Sequence, residues 1–202
     1  MIAIVDYGVG NLFSLKSSFN AIGADVIVTS DANAIKKADK IILPGVGAFG
    51  DAAKKLEESG LAEVLKQQAK NGKPIMGICL GMQLLFEKSF EYGEHKGLGL
   101  IKGEIVPISK VVPQGFKIPH MGWNSLDFKN KDCPLFKYIN EGDYVYFVHS
   151  FFGTNCEEST AATSHYGAPL TAVVMKDNVF GCQFHPEKSG EVGLNILRAF
   201  CE

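Results

Sequence analysis

Gly77-Ile78-Cys79-Leu80-Gly81-Met82-Gln83 lies between an apolar strand candidate, Pro74-Ile75-Met76, and an apolar helix candidate, Leu84-Leu85-Phe86. Gly-x-Cys-x-Gly at a strand-to-helix turn is the thiol counterpart of a nucleophile elbow. The glycines leave room for a sharp, strained backbone that pushes one side chain out of the sheet. A helix starting just after Cys79 aims free N–H groups at the sulfur and favours thiolate. The competing reading of a free cysteine is a small buried hydrophobe. Cys133, Cys156, Cys182 and Cys201 fit that reading, whereas Cys79 stands between two glycines at a turn.

Around this elbow the first half of the chain alternates strand and helix. Ile2 to Asp6, Val26 to Val28 and Ile41 to Leu43 read as apolar strands, the last ending at Pro44. Asn11 is placed to cap a helix running to about Ala21 and stopped by Gly23, and Asp31 to cap a short second helix. Helices are expected from Asp51 to Glu58 and from Leu61 to Asn71. Near-continuous apolar strands alternating with helices imply an α/β fold with a mostly parallel sheet covered on both faces. Ligands bind such sheets outside the carboxyl ends of the strands, where Cys79 falls.

After Gly97 glycine, proline and aromatics become frequent. Short strands are expected at Leu100 to Val106, Tyr144 to Val148, Leu170 to Met175 and Val179 to Phe184, as antiparallel additions to the sheet. Ser189 is expected to cap a last helix with Val192, Ile196 and Phe200 on one face. The whole span, 1–202, reads as one domain.

The strand Val179 to Phe184 closes at His185-Pro186-Glu187, because Pro186 cannot continue a ladder. His185 and Glu187 therefore share one sheet end, two residues apart. A histidine there can take a thiol proton and return it to a leaving group. A carboxylate on its other nitrogen sets tautomer and orientation. His95 and His165 have no such companions.

Bulk properties exclude several classes. A net charge of −2 gives no electrostatic case for nucleic acid or membrane surfaces. No stretch is apolar enough to span a bilayer, and Met1 runs straight into a strand candidate, so no leader is expected. Five cysteines at irregular spacing argue against a disulfide framework and a zinc pair. A reducing, cytoplasmic setting is expected, and neither cofactor nor metal.

Gly-Ile-Cys-Leu-Gly-Met-Gln, followed much later by Gln-Phe-His-Pro-Glu, resembles the class I (triad) glutamine amidotransferases over nearly the whole chain. The resemblance implies a flavodoxin-like fold, L-glutamine as substrate and a Cys79-His185-Glu187 triad. The Leu80 N–H, directly after the nucleophile, is the natural first oxyanion donor. Pro44-Gly45-Val46-Gly47 alone reads as a tight turn; its resemblance to the family's oxyanion segment makes Val46 the second donor, with Gly45 and Gly47 letting the backbone reorient. Gln83, one helical turn after Cys79, is implied to hold the amino-acid end of glutamine. Val148-His149-Ser150-Phe151 resembles the segment lining that pocket, although Phe151 stands where related proteins often carry tyrosine. His149 reads as structural, because His185 already has the partner that a base needs.

Three stretches further resemble the glutaminase subunits of imidazole glycerol phosphate synthase: Asp6 to Leu12, Pro119-His120-Met121-Gly122-Trp123-Asn124, and His185 to Ser189. That resemblance implies a heterodimer with a separate (β/α)-barrel cyclase (HisF type) that consumes the ammonia. The chain stops just after the helix that follows the triad, which fits an acceptor on another polypeptide. Met121 and Trp123 are then interface candidates, with Asn11 and Lys188 behind them. Otherwise Trp123 would read as core, Asn11 as a helix cap and Lys188 as a solvated charge. Other readings are a paralogue feeding sugar amidation, a non-catalytic regulatory subunit, and a cysteine peptidase on the same scaffold, which the Gln-Phe-His-Pro-Glu segment disfavours.

Overall fold

The computed structural model describes residues 1–202. Its first half runs β1 (Ile2–Val5), α1 (Leu12–Ala21), β2 (Val26–Thr29), α2 (Ala32–Lys37), β3 (Lys40–Leu43), α3 (Phe49–Glu58), α4 (Leu61–Lys70) and β4 (Ile75–Ile78). The caps fall where side-chain acceptors can reach free N–H groups. Asn11 Oδ1 accepts from the Ser14 N–H at 3.3 Å, and the Asp31 carboxylate accepts from Asn33 and Ala34 at 3.0 and 3.2 Å. After β4 come α5 (Leu80–Leu84), β5 (Phe86–Ser89), β6 (His95–Lys96), β7 (Ile101–Pro107), β8 (His120–Ser125), β9 (Asp127–Phe128) and β10 (Tyr144–His149). The chain closes with β11 (Phe151–Thr154), β12 (Thr160–His165), β13 (Pro169–Lys176), β14 (Val179–Cys182) and α6 (Gly190–Cys201).

The main sheet has the order β2-β1-β3-β4-β14-β13-β12-β9. From β2 through β14 neighbouring strands are parallel, and β13, β12 and β9 add antiparallel. This is the expected mostly parallel α/β sheet. Side chains alternate across it. Ile2, Ile4, Ile42, Met76 and Ile78 face a core shared with α1 and α6, where Leu15, Phe19, Ile196 and Phe200 pack. Ala3, Val5, Ile41, Leu43 and Ile75 face the opposite core with α2, α3, α4 and α5. Burial on both faces explains why these strands read as unbroken apolar runs.

Beyond β4 the structure departs from expectation in several ways. The strands at Leu100 to Val106 and Tyr144 to Val148 do not join the main sheet. The first becomes β7 in a sheet of order β11-β7-β5-β6, and the second becomes β10, paired with β8 alone. The apolar run Leu84 to Phe86 does not carry a helix onward either: only Leu84 is helical. N–H groups of Leu98, Leu100, Ile101 and Gly99 take the carbonyls of Leu84, Leu85 and Phe86 at 2.8–3.0 Å, leaving none for a further helical turn. Helix α5 therefore stops at Leu84 and Phe86 opens β5.

Ser189 does not cap α6 with its side chain. Its hydroxyl donates to the His185 carbonyl at 2.6 Å and accepts from the Tyr146 N–H at 2.9 Å. It pins the His185 turn to β10. Strand β14 ends at Cys182, short of Phe184: Gln183 still donates to Ala172 of β13, but the His185 N–H turns to the Tyr146 carbonyl of β10.

In register, Leu43 sits beside Gly77 and Ile78 beside Cys182. The carboxyl ends of β3, β4 and β14 thus open side by side. The Pro44 turn, the Cys79 elbow and the Gln183–Glu187 segment emerge at one edge.

Candidate active site

Cys79 has φ 54° and ψ −113°, a conformation costly for a side-chain-bearing residue. The surrounding chain holds it. Its N–H donates to the Cys182 carbonyl at 2.7 Å, and its carbonyl accepts from the Gln83 N–H at 3.2 Å. The flanking glycines are required by close approach: a Cβ on Gly77 would lie 2.5 Å from the Gly81 carbonyl oxygen, and one on Gly81 only 1.9 Å from the Leu43 oxygen.

His185 is 3% exposed, and its Nδ1 lies 2.7 Å from Glu187 Oε1. Because a carboxylate only accepts, Nδ1 carries the proton and Nε2 is left for the cavity side. Burial disfavours a charged imidazole here, but the neighbouring Cys79 sulfur and the Glu187 carboxylate outweigh it and push His185 up to about 9. The imidazole of His185 is thus favoured in its protonated form at neutral pH. Glu187 stands behind the imidazole, and its second oxygen, Oε2, is buried without a hydrogen-bond partner.

A cavity of about 370 Å³ opens over the sulfur. It is lined by Cys79, Leu80, Gln83 and His185, by Val46 and Gly47 of the turn after β3, by Val148 to Phe151, and by Lys188 at the rim. The Val46 N–H makes no hydrogen bond within the chain. Gly45 does not line the cavity. It is buried, and a Cβ there would lie 2.6 Å from the Gly81 N, so it packs the turn against α5. Of the two glycines expected to let the turn reorient, only Gly47, with φ 92° and open space around it, has that freedom.

Gln83 is buried, not an exposed helix residue. Its Nε2 donates to the Phe151 carbonyl at 3.1 Å and to Gln183 Oε1 at 3.0 Å, leaving its own Oε1 available. His149 is buried with both nitrogens engaged. Its Nδ1 lies 2.8 Å from the Phe151 carbonyl, an acceptor, so Nδ1 holds the proton. Its Nε2 then accepts from His120 Nδ1 at 3.0 Å. Burial lowers His120 to about 4 and His149 to about 3, so both stay neutral. His149 forms part of the cavity wall, with His120 bonded behind it.

The interface candidates lie outside the cavity apart from Lys188. Trp123 is 55% exposed, so it is no core residue, and Met121 is 61% exposed on the same face of β8. Asn11 serves as the α1 cap. Three other residues around the site escaped the sequence reading. Tyr7, buried, donates from its hydroxyl to the Pro44 carbonyl at 2.7 Å and holds the start of the turn. Glu91 lines the cavity and accepts from the Phe49 N–H at 2.6 Å, serving α3, whose N-cap is the non-accepting Ala48. Gln183 puts its Nε2 3.8 Å from the Cys79 sulfur. Gln183 and Tyr7 lay inside singled-out runs, Gln-Phe-His-Pro-Glu and Asp6 to Leu12, but neither was given a role; Glu91 had no signal. No group of three or more His, Cys, Asp or Glu side chains is arranged to hold a metal ion, and no helix is long and apolar enough to cross a membrane.

A family model described as glutamine amidotransferase class-I matches residues 3–202. A relative from Caldanaerobacter subterraneus subsp. tengcongensis, named imidazole glycerol phosphate synthase subunit HisH, is 54% identical over 100% of this chain and 98% of its own. One of the same name from Wolinella succinogenes is 50% identical over 100% and 99%. A solved structure described as a glutamine amidotransferase superposes with a TM-score of 0.76 at 17% identity, covering 99% of each chain. The structure of PurLQS from Thermotoga maritima gives 0.75 at 24% identity, covering 98% of this chain and 96% of that one.

Proposed function

The chain belongs to the class-I glutamine amidotransferase family, and on that premise we propose that it is the glutaminase subunit of an imidazole glycerol phosphate synthase, built as one domain over residues 1–202. Relatives about half identical over their full length carry that name. The chemistry rests on one observation above the others: a strained cysteine at the end of β4 shares a cavity with a buried histidine whose far nitrogen is held by a carboxylate at 2.7 Å.

In this reading glutamine enters the cavity with its side-chain amide over Cys79. The thiolate attacks the amide carbon, and negative charge moves to the carbonyl oxygen. The N–H groups of Val46 and Leu80 receive that charge. His185, protonated, gives its proton to the departing nitrogen, so ammonia leaves and a γ-glutamyl thioester remains. Water that loses a proton to His185 then releases glutamate and restores the thiol pair. Glu187 keeps the imidazole oriented throughout. Gln83 Oε1 and the Val148–Phe151 segment face the amino-acid end of the substrate.

Ammonia released to bulk water at neutral pH becomes ammonium and is no longer a nucleophile. A partner that consumes it must therefore cover the cavity mouth. The proposed partner is a (β/α)-barrel cyclase of HisF type in a heterodimer, with Met121, Trp123, Lys188 and Asn11 as contacts.

The test is glutamate release from L-glutamine by the purified chain, alone and with such a cyclase and its nucleotide substrate. Strong stimulation by the cyclase and loss of hydrolysis in Cys79→Ala are expected. Hydrolysis that persists in Cys79→Ala overturns the mechanism, and activity indifferent to the cyclase overturns the pathway assignment.

A further inference from the structure

We propose that the Gln183 side-chain amide is the hydrogen-bond donor that stabilises the Cys79 sulfur while it is anionic, and that Gln83 decides which end of that amide faces the sulfur. The need for a stabilised thiolate rests on the glutaminase reading; the contact itself does not.

The two ends of an amide act oppositely on an anion. An N–H aimed at sulfur stabilises negative charge, and a carbonyl oxygen repels it. Which end faces Cys79 follows from acceptors that have no choice. The Phe151 carbonyl can only accept, so the Gln83 group 3.1 Å from it is the NH₂. That same nitrogen lies 3.0 Å from one end of the Gln183 amide, which must then be oxygen. The remaining end, Nε2, lies 3.8 Å from Cys79 Sγ. No other hydrogen-bond acceptor faces it.

The contact is buried and rigid. Gln183 is 0% exposed, Gln83 5% and Cys79 8%. Away from water a donor aimed at an anion is worth more than it would be in solvent. The Gln183 main chain is fixed by its N–H to the Ala172 carbonyl at 2.8 Å, and the preceding carbonyl holds the Cys79 N–H. Sulfur and donor are thus tied to the same strand end. Helix α5 is five residues long, so its few aligned peptide dipoles supply less field than a full helix would. A directed side-chain donor complements it. The titratable neighbours of the sulfur are His185 from the segment after β14 and Tyr7 from the loop after β1, with Glu187 behind the imidazole; Glu91, Tyr92, His149 and Lys188 line the same cavity.

The test replaces Gln183 with two side chains of similar size in the full chain. Gln183→Met removes the donor without adding charge. Gln183→Glu keeps an acceptor for Gln83 and turns an oxygen toward the sulfur. Iodoacetamide alkylation of Cys79 is followed against pH, with the modified peptide identified by mass because four other cysteines are present. In both variants the alkylation midpoint should move to higher pH, by about one unit in Gln183→Met, which is about a tenfold loss of reactive thiolate below the midpoint. For glutamine hydrolysis kcat should fall at least about tenfold while KM moves less than about threefold.

An alkylation profile that matches the unmodified chain overturns the proposal, even if kcat falls, because a merely structural role would do that. Thermal melts establish folding, and Gln183→Met decides alone if the charged variant does not fold. Should the unmodified chain fail to hydrolyse glutamine with any cyclase, the glutaminase reading falls, while the alkylation profiles still judge this contact.

Discussion

The backbone N–H of Cys79 donates to the carbonyl of Cys182 at 2.7 Å. That bond ties the elbow at the end of β4 to the last residue of β14, three positions before His185. The proposed nucleophile and base are 106 residues apart in sequence, yet this bond helps hold their strand ends together. Changes that shift β4 against β14 should therefore reach the chemistry before they reach global stability.

Gly81→Ala would place a methyl 1.9 Å from the Leu43 carbonyl oxygen. Backbone cannot yield as a flexible side chain can, so the elbow must move. We expect a loss of about 1–3 kcal/mol in urea denaturation, with glutamine hydrolysis lost well before unfolding. Gly60→Ala, with open space around its Cβ but φ 74°, should cost less stability and spare activity.

Tyr7→Phe removes the donor to the Pro44 carbonyl. The buried carbonyl loses its partner, at a cost of about 1–3 kcal/mol. The turn carrying Val46 should loosen, lowering kcat more than it raises KM if Val46 serves the oxyanion. A variant with unchanged kcat would show that the Pro44 turn needs no such anchor.

Stability should fall on both sides of neutrality, for two different reasons. His185 is raised to about 9 from an ordinary 6.5. Its contribution is fully present below pH 6.5 and is lost as pH climbs through 9. His120 and His149 are lowered to about 4 and about 3. They cost nothing above 6.5 and destabilise increasingly as pH falls toward 4, because the unfolded chain binds their protons first. Urea midpoints at pH 5, 7 and 9.5 test this. His149→Gln should flatten the acid limb, and His185→Gln the alkaline one.

Trp123→Ala should leave folding nearly untouched, since the side chain is 55% exposed and meets Tyr146 edge-on at 6.1 Å between centroids. Affinity for the proposed cyclase partner, read by calorimetry, should drop at least about tenfold if Trp123 anchors the interface. Wild-type affinity in that variant would move the docking face elsewhere.

The parallel half of the fold was legible because its central strands are buried on both faces and because α1 and α2 carry their own capping residues. Asn11, Asp31 and Gly23 act locally, and local signals survive in a linear sequence. The antiparallel half was less so. Leu84 to Phe86 has a helical composition, but the 98–101 segment takes its carbonyls, and nothing near Phe86 in sequence announces that competitor.

The motifs by themselves singled out the residues proposed to carry the chemistry: a thiol between two glycines, and a histidine with a carboxylate two residues on. Only the tertiary structure decided what surrounds them. Strand order placed β14 beside β4, so Gln183 meets the sulfur, and it packed Gly45 against α5, away from the cavity. It also gave His149 a buried partner in His120, 29 residues earlier. Such contacts depend on which ends of distant strands lie adjacent, and adjacency is set by packing of the whole sheet, which no short stretch encodes.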